Sequence, residues 1–248
     1  MLVKTEQSSH WYTKTGEPRY GATLREARKE HLLPSVTTIL SIVAQPGLEA
    51  WKQEQAIMAA LTLPRLDNEP LDAFAKRVVE DSREHASSAA AVGTEIHDAI
   101  EQYLQTGDIV QVEGYNDVLQ QAREWLNDTV DLTADYATEV SGVGDGYAGR
   151  IDFVGYDKQG APIIIDFKTQ NVKKSPRVYS KYRHQLAAYA AMDNEVREGD
   201  RSQRLVNLII GTGDVRGVWA RELEDTDKWW RGFRAALELW QVEKGYTP

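Results

Sequence analysis

The chain has 248 residues, of which 42% are hydrophobic and 27% charged, and 29 Lys and Arg against 38 Asp and Glu give a formal net charge of −9. This length and apolar content suffice for one large domain with a packed core. The sequence contains no cysteine, which excludes a disulfide framework, a Cys-ligated zinc site and an iron–sulfur cluster. No apolar run approaches the ~20 residues of a membrane span, and residues 1–6 lack a secretory signal pattern, so we expect a cytoplasmic protein with no membrane partner.

The first half of the chain is predicted to be helical. Segment 10–20 is aromatic and rich in turn residues, which is typical of a small hairpin around Gly16. Segment 34–40 bears several hydroxyl side chains and is typical of a helix start. Longer helices are predicted by apolar spacing over 48–61, 71–91, 93–105 and 115–130.

The second half changes to strand-like patterns. The predicted strands are 136–140, 147–156, 161–168, 205–210 and 215–220, and the predicted helices are 175–192 and 225–242. The order of helix, three antiparallel strands, helix and strand predicts α+β or mixed α/β packing, and we assign an α/β fold with a mixed sheet. No linker divides the chain, so we predict one domain over 1–248, with an N-terminal helical addition over 1–114 and a core over 115–248.

The most informative segment is the strand that ends in Asp166-Phe167-Lys168. It begins with three consecutive isoleucines, 163–165, which predict a central strand buried on both faces. Asp166 and Lys168 point to the same face, because they are two residues apart on a strand. Asp152 lies on the preceding strand, so two carboxylates are expected to converge at one sheet edge. Such a site suits Mg²⁺ or Mn²⁺ beside a lysine that orients a water, whereas the alternative is a surface ion pair.

Other residues extend this site. His97 can ligate a metal through a neutral imidazole nitrogen, and Gln185 and Tyr189 lie four residues apart on one helix face. Each has an ordinary packing explanation when considered alone. No Asp or Glu occurs between Phe167 and Met192, although the segment is rich in cations, so a nucleic acid could bind there despite the acidic total. The candidate DNA contacts in this basic segment are Lys173, Lys174, Arg177, Tyr182 and Arg183.

Together these motifs resemble those of the PD-(D/E)XK nuclease superfamily, in its branch with RecB-type motifs. The resemblance lies in Gly93…His97, Gly149…Asp152, Asp166…Lys168 and Gln185…Tyr189, which occur in this order within about 93–210. Segment 34–40, followed by a Trp-bearing helix, adds a similarity to the mitochondrial genome maintenance exonucleases and their phage relatives. The resemblance implies a restriction-endonuclease-like core and the cytoplasm of a bacterial or phage-infected host cell.

The resemblance also implies roles for individual residues. The implied metal ligands are His97, Asp152, Asp166 and the carbonyl of Phe167. The implied catalytic residues are Asp152, Asp166 and Lys168, with Gln185 and Tyr189 steadying the site. Ser35 and Thr37 are implied phosphate contacts. Glu139, on the strand before Asp152, is a candidate either for an additional metal ligand or for a residue around the ligands.

These observations predict a Mg²⁺- or Mn²⁺-dependent DNA exonuclease that acts on single-stranded ends. One alternative is a structure-specific endonuclease on the same fold, and another is a non-catalytic DNA-binding or assembly module. The sequence has no phosphate-binding Gly-x-x-x-x-Gly-Lys-Ser/Thr loop, so ATP-driven unwinding is not expected. The lack of cysteine disfavours the iron–sulfur subfamilies of these nucleases.

Overall fold

The structure, a computed structural model, describes residues 11–196 and 203–248, and within its helices all side chains except those at 84–86, 89 and 193–196. The helices are α1 (Leu24–Glu30), α2 (Val36–Ile39) with a 3₁₀ turn (Leu40–Ile42), α3 (Pro46–Thr62), α4 (Leu71–Thr106), α5 (Asn116–Thr129), α6 (Ser180–Val196) and α7 (Thr226–Lys244). The strands are β1 (Trp11–Tyr12), β2 (Leu33–Pro34), β3 (Ala137–Gly144), β4 (Tyr147–Tyr156), β5 (Pro162–Gln170), β6 (Arg204–Thr212) and β7 (Arg216–Glu222). Two predictions concern residues outside this range. They are the absence of a secretory signal in segment 1–6 and the inclusion of His10 in the small hairpin.

The chain divides into two compact units. The larger comprises Met1–Val43 and Ala99–Pro248 and contains the sheet, whereas the smaller, Ala44–Asp98, contains α3 and most of α4. The predicted division into 1–114 and 115–248 within one domain stays a prediction. Among the helices of the described residues, none combines the length and the apolar character that crossing a membrane requires.

Strands β3 to β7 form one mixed sheet in the order β3-β4-β5-β6-β7. Neighbouring strands are antiparallel except β5 and β6, which are parallel and connected through α6. The predicted hairpin turn at 157–160 joins β4 to β5, and Gly160 adopts a φ of +82°, a conformation that favours glycine. The predicted α/β class is confirmed, and the order α5, β3, β4, β5, α6, β6 is consistent with a restriction-endonuclease-like core.

The isoleucine run places β5 at the centre of this sheet. Ile163, Ile164 and Ile165 are all buried, although successive residues of a strand point to opposite faces. Both faces of the sheet are therefore covered. Ile164 packs in the core with residues of α6 and α7, whereas α5 packs against β6 and β7.

The N-terminal elements are anchored to the C-terminal helix within the larger unit. The Trp11 ring lies 6.0 Å from that of Trp240 and 6.1 Å from that of Tyr246. The Tyr246 hydroxyl donates to the backbone carbonyls of Ala27 and Leu32, at 3.0 and 2.7 Å. These contacts fix the chain that leads into α2, and α2 in turn packs against β4 and α6.

Two predicted helix boundaries are wrong. The helices expected over 71–91 and 93–105 are one continuous helix, α4, because a single interior glycine such as Gly93 costs only about 1 kcal/mol. The helix expected from Ser175 begins instead at Ser180. Residues 171–179 are irregular because the Gln170 side chain satisfies backbone groups of this loop that a helix would otherwise pair.

Candidate active site

Asp166 is the fully buried carboxylate of the candidate site. It lies on β5 two residues after Ile164, so it shares the face that packs against α6. Its Oδ1 accepts a hydrogen bond from Lys168 Nζ at 2.6 Å, and its Oδ2 accepts one from Asn207 Nδ2 at 2.8 Å. Asn207 is itself buried and lies opposite Asp166 in the parallel β5–β6 register. These two donors fix the carboxylate and offset the cost of burying its charge.

Asp152 is the second carboxylate, and it lies half-buried on the neighbouring strand β4. Its Oδ2 accepts a hydrogen bond from the backbone N–H of Phe167 at 2.8 Å, which joins the Gly-x-x-Asp strand directly to the Asp-x-Lys strand. Burial raises the pKa of Asp152, while the charge of Lys168 and the Phe167 N–H oppose that rise. The structure thus brings the two predicted carboxylates together, but on two neighbouring interior strands of the sheet rather than at a sheet edge.

Lys168 supplies the positive charge between these carboxylates. Burial opposes that charge, but the neighbouring Asp166 and Asp152 outweigh it and raise the pKa of Lys168. Its ammonium nitrogen also lies 5.5 Å from the ring centroid of Tyr182, within cation–π range. Because Lys168 stays protonated at neutral pH, it can donate hydrogen bonds and stabilise negative charge, but it cannot accept a proton.

Gln185 and Tyr189 face this site from α6, as their four-residue spacing predicted. Gln185 Nε2 donates to the Tyr189 hydroxyl at 2.7 Å, and both side chains are buried. Burial, together with the charges of Asp166 and Asp152, raises the pKa of Tyr189 well above its ordinary value. The phenol therefore keeps its proton and remains a hydrogen-bond donor near both carboxylates.

Gly149, the glycine of the Gly-x-x-Asp motif, lies where two helices approach β4 closely. A Cβ atom at this position would lie 2.9 Å from Cε1 of Tyr189 and 3.3 Å from Cγ2 of Val36. The strand therefore needs glycine here, because α2 and α6 both approach its backbone closely. This contact brings three sequence motifs together at one point of the larger unit.

Ser35 and Thr37, the predicted phosphate contacts, lie at the start of α2. Ser35 caps the helix, since its Oγ accepts from the backbone N–H of Thr38 at 3.0 Å and lies 3.0 Å from Thr37 Oγ1. Ser35 is buried and forms a β-bridge with Ala148, whereas Thr37 is half-buried. A contact of either residue with phosphate stays a prediction.

The loop 171–179 carries the first part of the basic segment. Lys173, Lys174 and Arg177 are exposed on it. The side chain of Gln170 holds its far end, since Nε2 donates to the Arg177 carbonyl at 3.0 Å and Oε1 accepts from the Arg177 N–H at 2.8 Å. The loop therefore presents exposed cationic side chains on a backbone that Gln170 holds at Arg177.

The second part of the basic segment is the first turn of α6. Tyr182 packs edge-on against Tyr179, with their ring centroids 5.3 Å apart. Arg183 lies 5.0 Å from the ring centroid of Trp229, and His184 Nδ1 lies 2.9 Å from the carbonyl oxygen of Trp229. Arg183 and His184 thus help to join α6 to α7, and the DNA contacts predicted for Tyr182 and Arg183 stay predictions.

Three further polar residues bear on the prediction of a metal site. His97 lies on α4 in the smaller unit, and its role as a ligand stays a prediction. Glu139 forms an ion pair with Arg150 and has a φ of +53°, which is rare for a residue with a side chain. Glu101 was missed by sequence analysis, and its negative charge contributes to the raised pKa of Asp152. Its spacing of four residues from His97 is the signal that could have identified it.

Oxygen ligands and excess negative charge at this site fit a divalent cation. Among the residues that the structure describes, no group of three or more His, Cys, Asp or Glu side chains is gathered as a metal site. Mg²⁺, however, keeps several waters and needs only one or two protein carboxylates. Asp152 and Asp166 outnumber the single positive charge of Lys168, so a bound cation would compensate the remaining charge. The donor set therefore suits Mg²⁺ or Mn²⁺.

One family of known proteins matches the second half of the chain. Residues 136–244 match the family model of the PD-(D/E)XK nuclease superfamily. The matched segment contains Asp152, Asp166, Lys168, Gln185 and Tyr189, and it supports the superfamily assignment that the motifs predicted. His97, Ser35 and Thr37 precede it.

No curated protein matches the chain significantly. A solved structure described as SSO0001 shares 14% sequence identity with a TM-score of 0.38, covering 77% of this chain and 86% of its own.

Proposed function

We propose that the chain is a divalent-metal-dependent nuclease of the RecB-type branch that hydrolyses phosphodiester bonds of DNA from single-stranded ends. The observation that carries this proposal is the pair of carboxylates on β4 and β5 with a protonated lysine beside them. The match of residues 136–244 to the PD-(D/E)XK nuclease superfamily supports the same reaction class. The proposed setting is the cytoplasm of a bacterial or phage-infected host cell.

In this proposal Asp152, Asp166 and the carbonyl of Phe167 hold Mg²⁺ or Mn²⁺, with His97 as a further candidate ligand. When bound, such a cation supplies Lewis-acid polarisation of the phosphate and a water of lowered pKa. Lys168 donates hydrogen bonds to the attacking water and stabilises the charge that develops on the phosphoryl oxygens.

Neighbouring groups hold these residues in place. Asn207 keeps one oxygen of Asp166 fixed, which directs the other oxygen toward the Lys168 side of the site. Tyr189, positioned by Gln185, provides a hydrogen-bond donor near both carboxylates. A rigid arrangement of this kind lowers the reorganisation needed in the transition state.

DNA is the proposed substrate because a cationic loop follows the Asp-x-Lys strand directly. Lys173, Lys174 and Arg177 are exposed there, and no acidic residue occurs in the sequence between Phe167 and Met192. Cations of this kind contact backbone phosphates without reading sequence. Exposed or half-buried tyrosines such as Tyr179 and Tyr182 offer rings on which unpaired bases can stack.

Cleavage is expected to require a divalent cation. A chelator should abolish cleavage of end-labelled linear single-stranded DNA, and Mg²⁺ or Mn²⁺ should restore it. Because the folded-state pKa of Asp152 is raised, this carboxyl binds a proton as the pH falls through that value and then ligates the cation poorly. The rise in melting temperature on adding Mg²⁺ should therefore shrink toward acidic pH. By the same linkage, protonation at Asp152 favours the folded metal-free protein in that range.

The control for metal binding is Asp152→Asn, which should show little melting-temperature shift with Mg²⁺ at any pH. Cleavage that persists at full rate in excess chelator would contradict the proposed chemistry. Calorimetric titration with Mg²⁺ gives the same comparison without any nucleic acid.

Exonuclease action is expected to require a free end. Linear single-stranded DNA should be degraded, while covalently closed single-stranded circles of the same sequence should resist in the same reaction. A circle nicked once by another enzyme should become a substrate and is the matched control. Rapid cleavage of closed circles would instead favour the structure-specific endonuclease and would leave the metal chemistry intact.

A further inference from the structure

Lys181 lies on the same face of α6 as the two residues that face the carboxylates. It is in the first turn of the helix, and Gln185 and Tyr189 follow at four-residue intervals. Residues at this spacing share one helix face. Lys181 therefore occupies the end of a row whose other members are buried beside Asp152 and Asp166.

The ammonium group of Lys181 has no counter-charge in the described part of the chain. Its side chain is half-buried, and among the described residues it forms no ion pair and no hydrogen bond. Nearby cations differ in this respect, since Lys168 binds Asp166 and Arg183 lies over Trp229.

The positive charge of Lys168 also acts on Lys181. Burial is the main cause that lowers the pKa of Lys181, and the positive charge of Lys168 lowers it further. Two ammonium groups that repel each other across a partly buried site are unfavourable in the free protein. An anion bound between or beside them would relieve this repulsion. The position thus selects for a negatively charged ligand.

We propose that Lys181 binds a backbone phosphate of the substrate strand next to the scissile phosphate. The inference rests on the proposed nuclease function, because that function supplies the DNA strand that would occupy the site. A lysine is a flexible point charge with three donors, which suits a phosphate whose position shifts as the strand advances. Lys181 forms no hydrogen bond or ion pair with Asp152 or Asp166, so we assign it to binding and positioning rather than to the chemical step.

The test measures binding of short single-stranded oligonucleotides, each with one uncharged methylphosphonate at a successive position. Binding is measured to the full chain carrying Asp166→Asn, which keeps the substrate intact. One methylphosphonate position should weaken binding by about tenfold, as expected for loss of one charged hydrogen bond. Adding Lys181→Gln should weaken binding of the unmodified strand by a similar factor and remove the sensitivity at that position alone. Lys181→Arg in place of Lys181→Gln should restore most of the affinity and of the sensitivity at that position.

Salt dependence gives an independent readout. The slope of log K against log salt should fall by about 0.7 in Lys181→Gln, the value for one phosphate contact on a single strand. Lys158→Gln, which changes an exposed lysine at the β4–β5 turn, should leave the slope and the methylphosphonate profile unchanged. Melting temperatures of both variants show whether they are folded equally.

Several outcomes would overturn the phosphate assignment. They are unchanged affinity and slope in Lys181→Gln, a methylphosphonate profile that is the same in both proteins, and no binding of the oligonucleotide at all. The nuclease proposal is tested separately by cleavage with wild-type protein. If a phosphate position depends on Lys181 but the wild-type protein does not cleave DNA, this inference stands and the nuclease proposal is rejected. If the protein cleaves DNA but no phosphate position depends on Lys181, the nuclease proposal stands and this inference is rejected.

Discussion

Asp166→Asn is expected to lower the rate of phosphodiester cleavage by about 10²–10³-fold or more while leaving DNA affinity within a few-fold. The substitution keeps the shape of a fully buried side chain and its neighbours Asn207 and Lys168, but it removes the charge that we propose holds a divalent cation. The phosphate contacts proposed for the loop 171–179 should be unaffected. Single-turnover cleavage and equilibrium binding of the same labelled strand provide the two measurements.

Asp157→Asn is the matched control for this change. Asp157 is also a buried aspartate, but it serves the hairpin turn, where Oδ1 accepts from the N–H groups of Gln159 and Ala161 at 2.9 and 2.8 Å. Its Oδ2 pairs with Arg204 at 2.9 Å. The variant should lose about 1–3 kcal/mol of folding free energy and keep its cleavage rate below the melting transition. If Asp166→Asn cut DNA as fast as Asp157→Asn, the chemistry would lie elsewhere and the non-catalytic DNA-binding module would become the better account.

The sheet was predictable because its signals are local. The run 163–165 can be buried on both faces only in a central strand, and the turn 157–160 requires the positive φ that Gly160 adopts. Since a strand has a period of two, the joint orientation of Asp166 and Lys168 followed from spacing alone. The position of Asp152 followed in turn from the hairpin.

Features that depend on distant residues could not be predicted in this way. Asn207 is 41 residues from Asp166 in sequence, and the parallel register that pairs them cannot be inferred from either strand. The start of α6 depends on side-chain bonds from Gln170 to Arg177, which compete with the cap expected at Ser175. Local patterns thus identified the carboxylates, but tertiary contacts decide what holds them.

Lys168→Met is expected to reduce cleavage by about 10²-fold and to move the acidic limb of the pH–rate profile to higher pH. The positive charge of Lys168 holds down the pKa of Asp152, which burial raises, so removing that charge lets this pKa rise further. In the proposed site only the ionised carboxylate would bind the cation, so activity should then be lost at a higher pH as the solution is acidified. Cleavage rates measured across pH at saturating Mg²⁺ give both effects.

Lys158→Met makes the same substitution at the exposed β4–β5 turn and should leave both the rate and the profile unchanged. Lys168→Arg separates charge from shape. It keeps a positive charge near Asp152, so its acidic limb should stay at the wild-type pH even if the bulkier guanidinium orients water poorly and the rate falls. An acidic limb that moved equally in Lys168→Met and Lys168→Arg would contradict the electrostatic role, because a loss of geometry alone would then explain both variants.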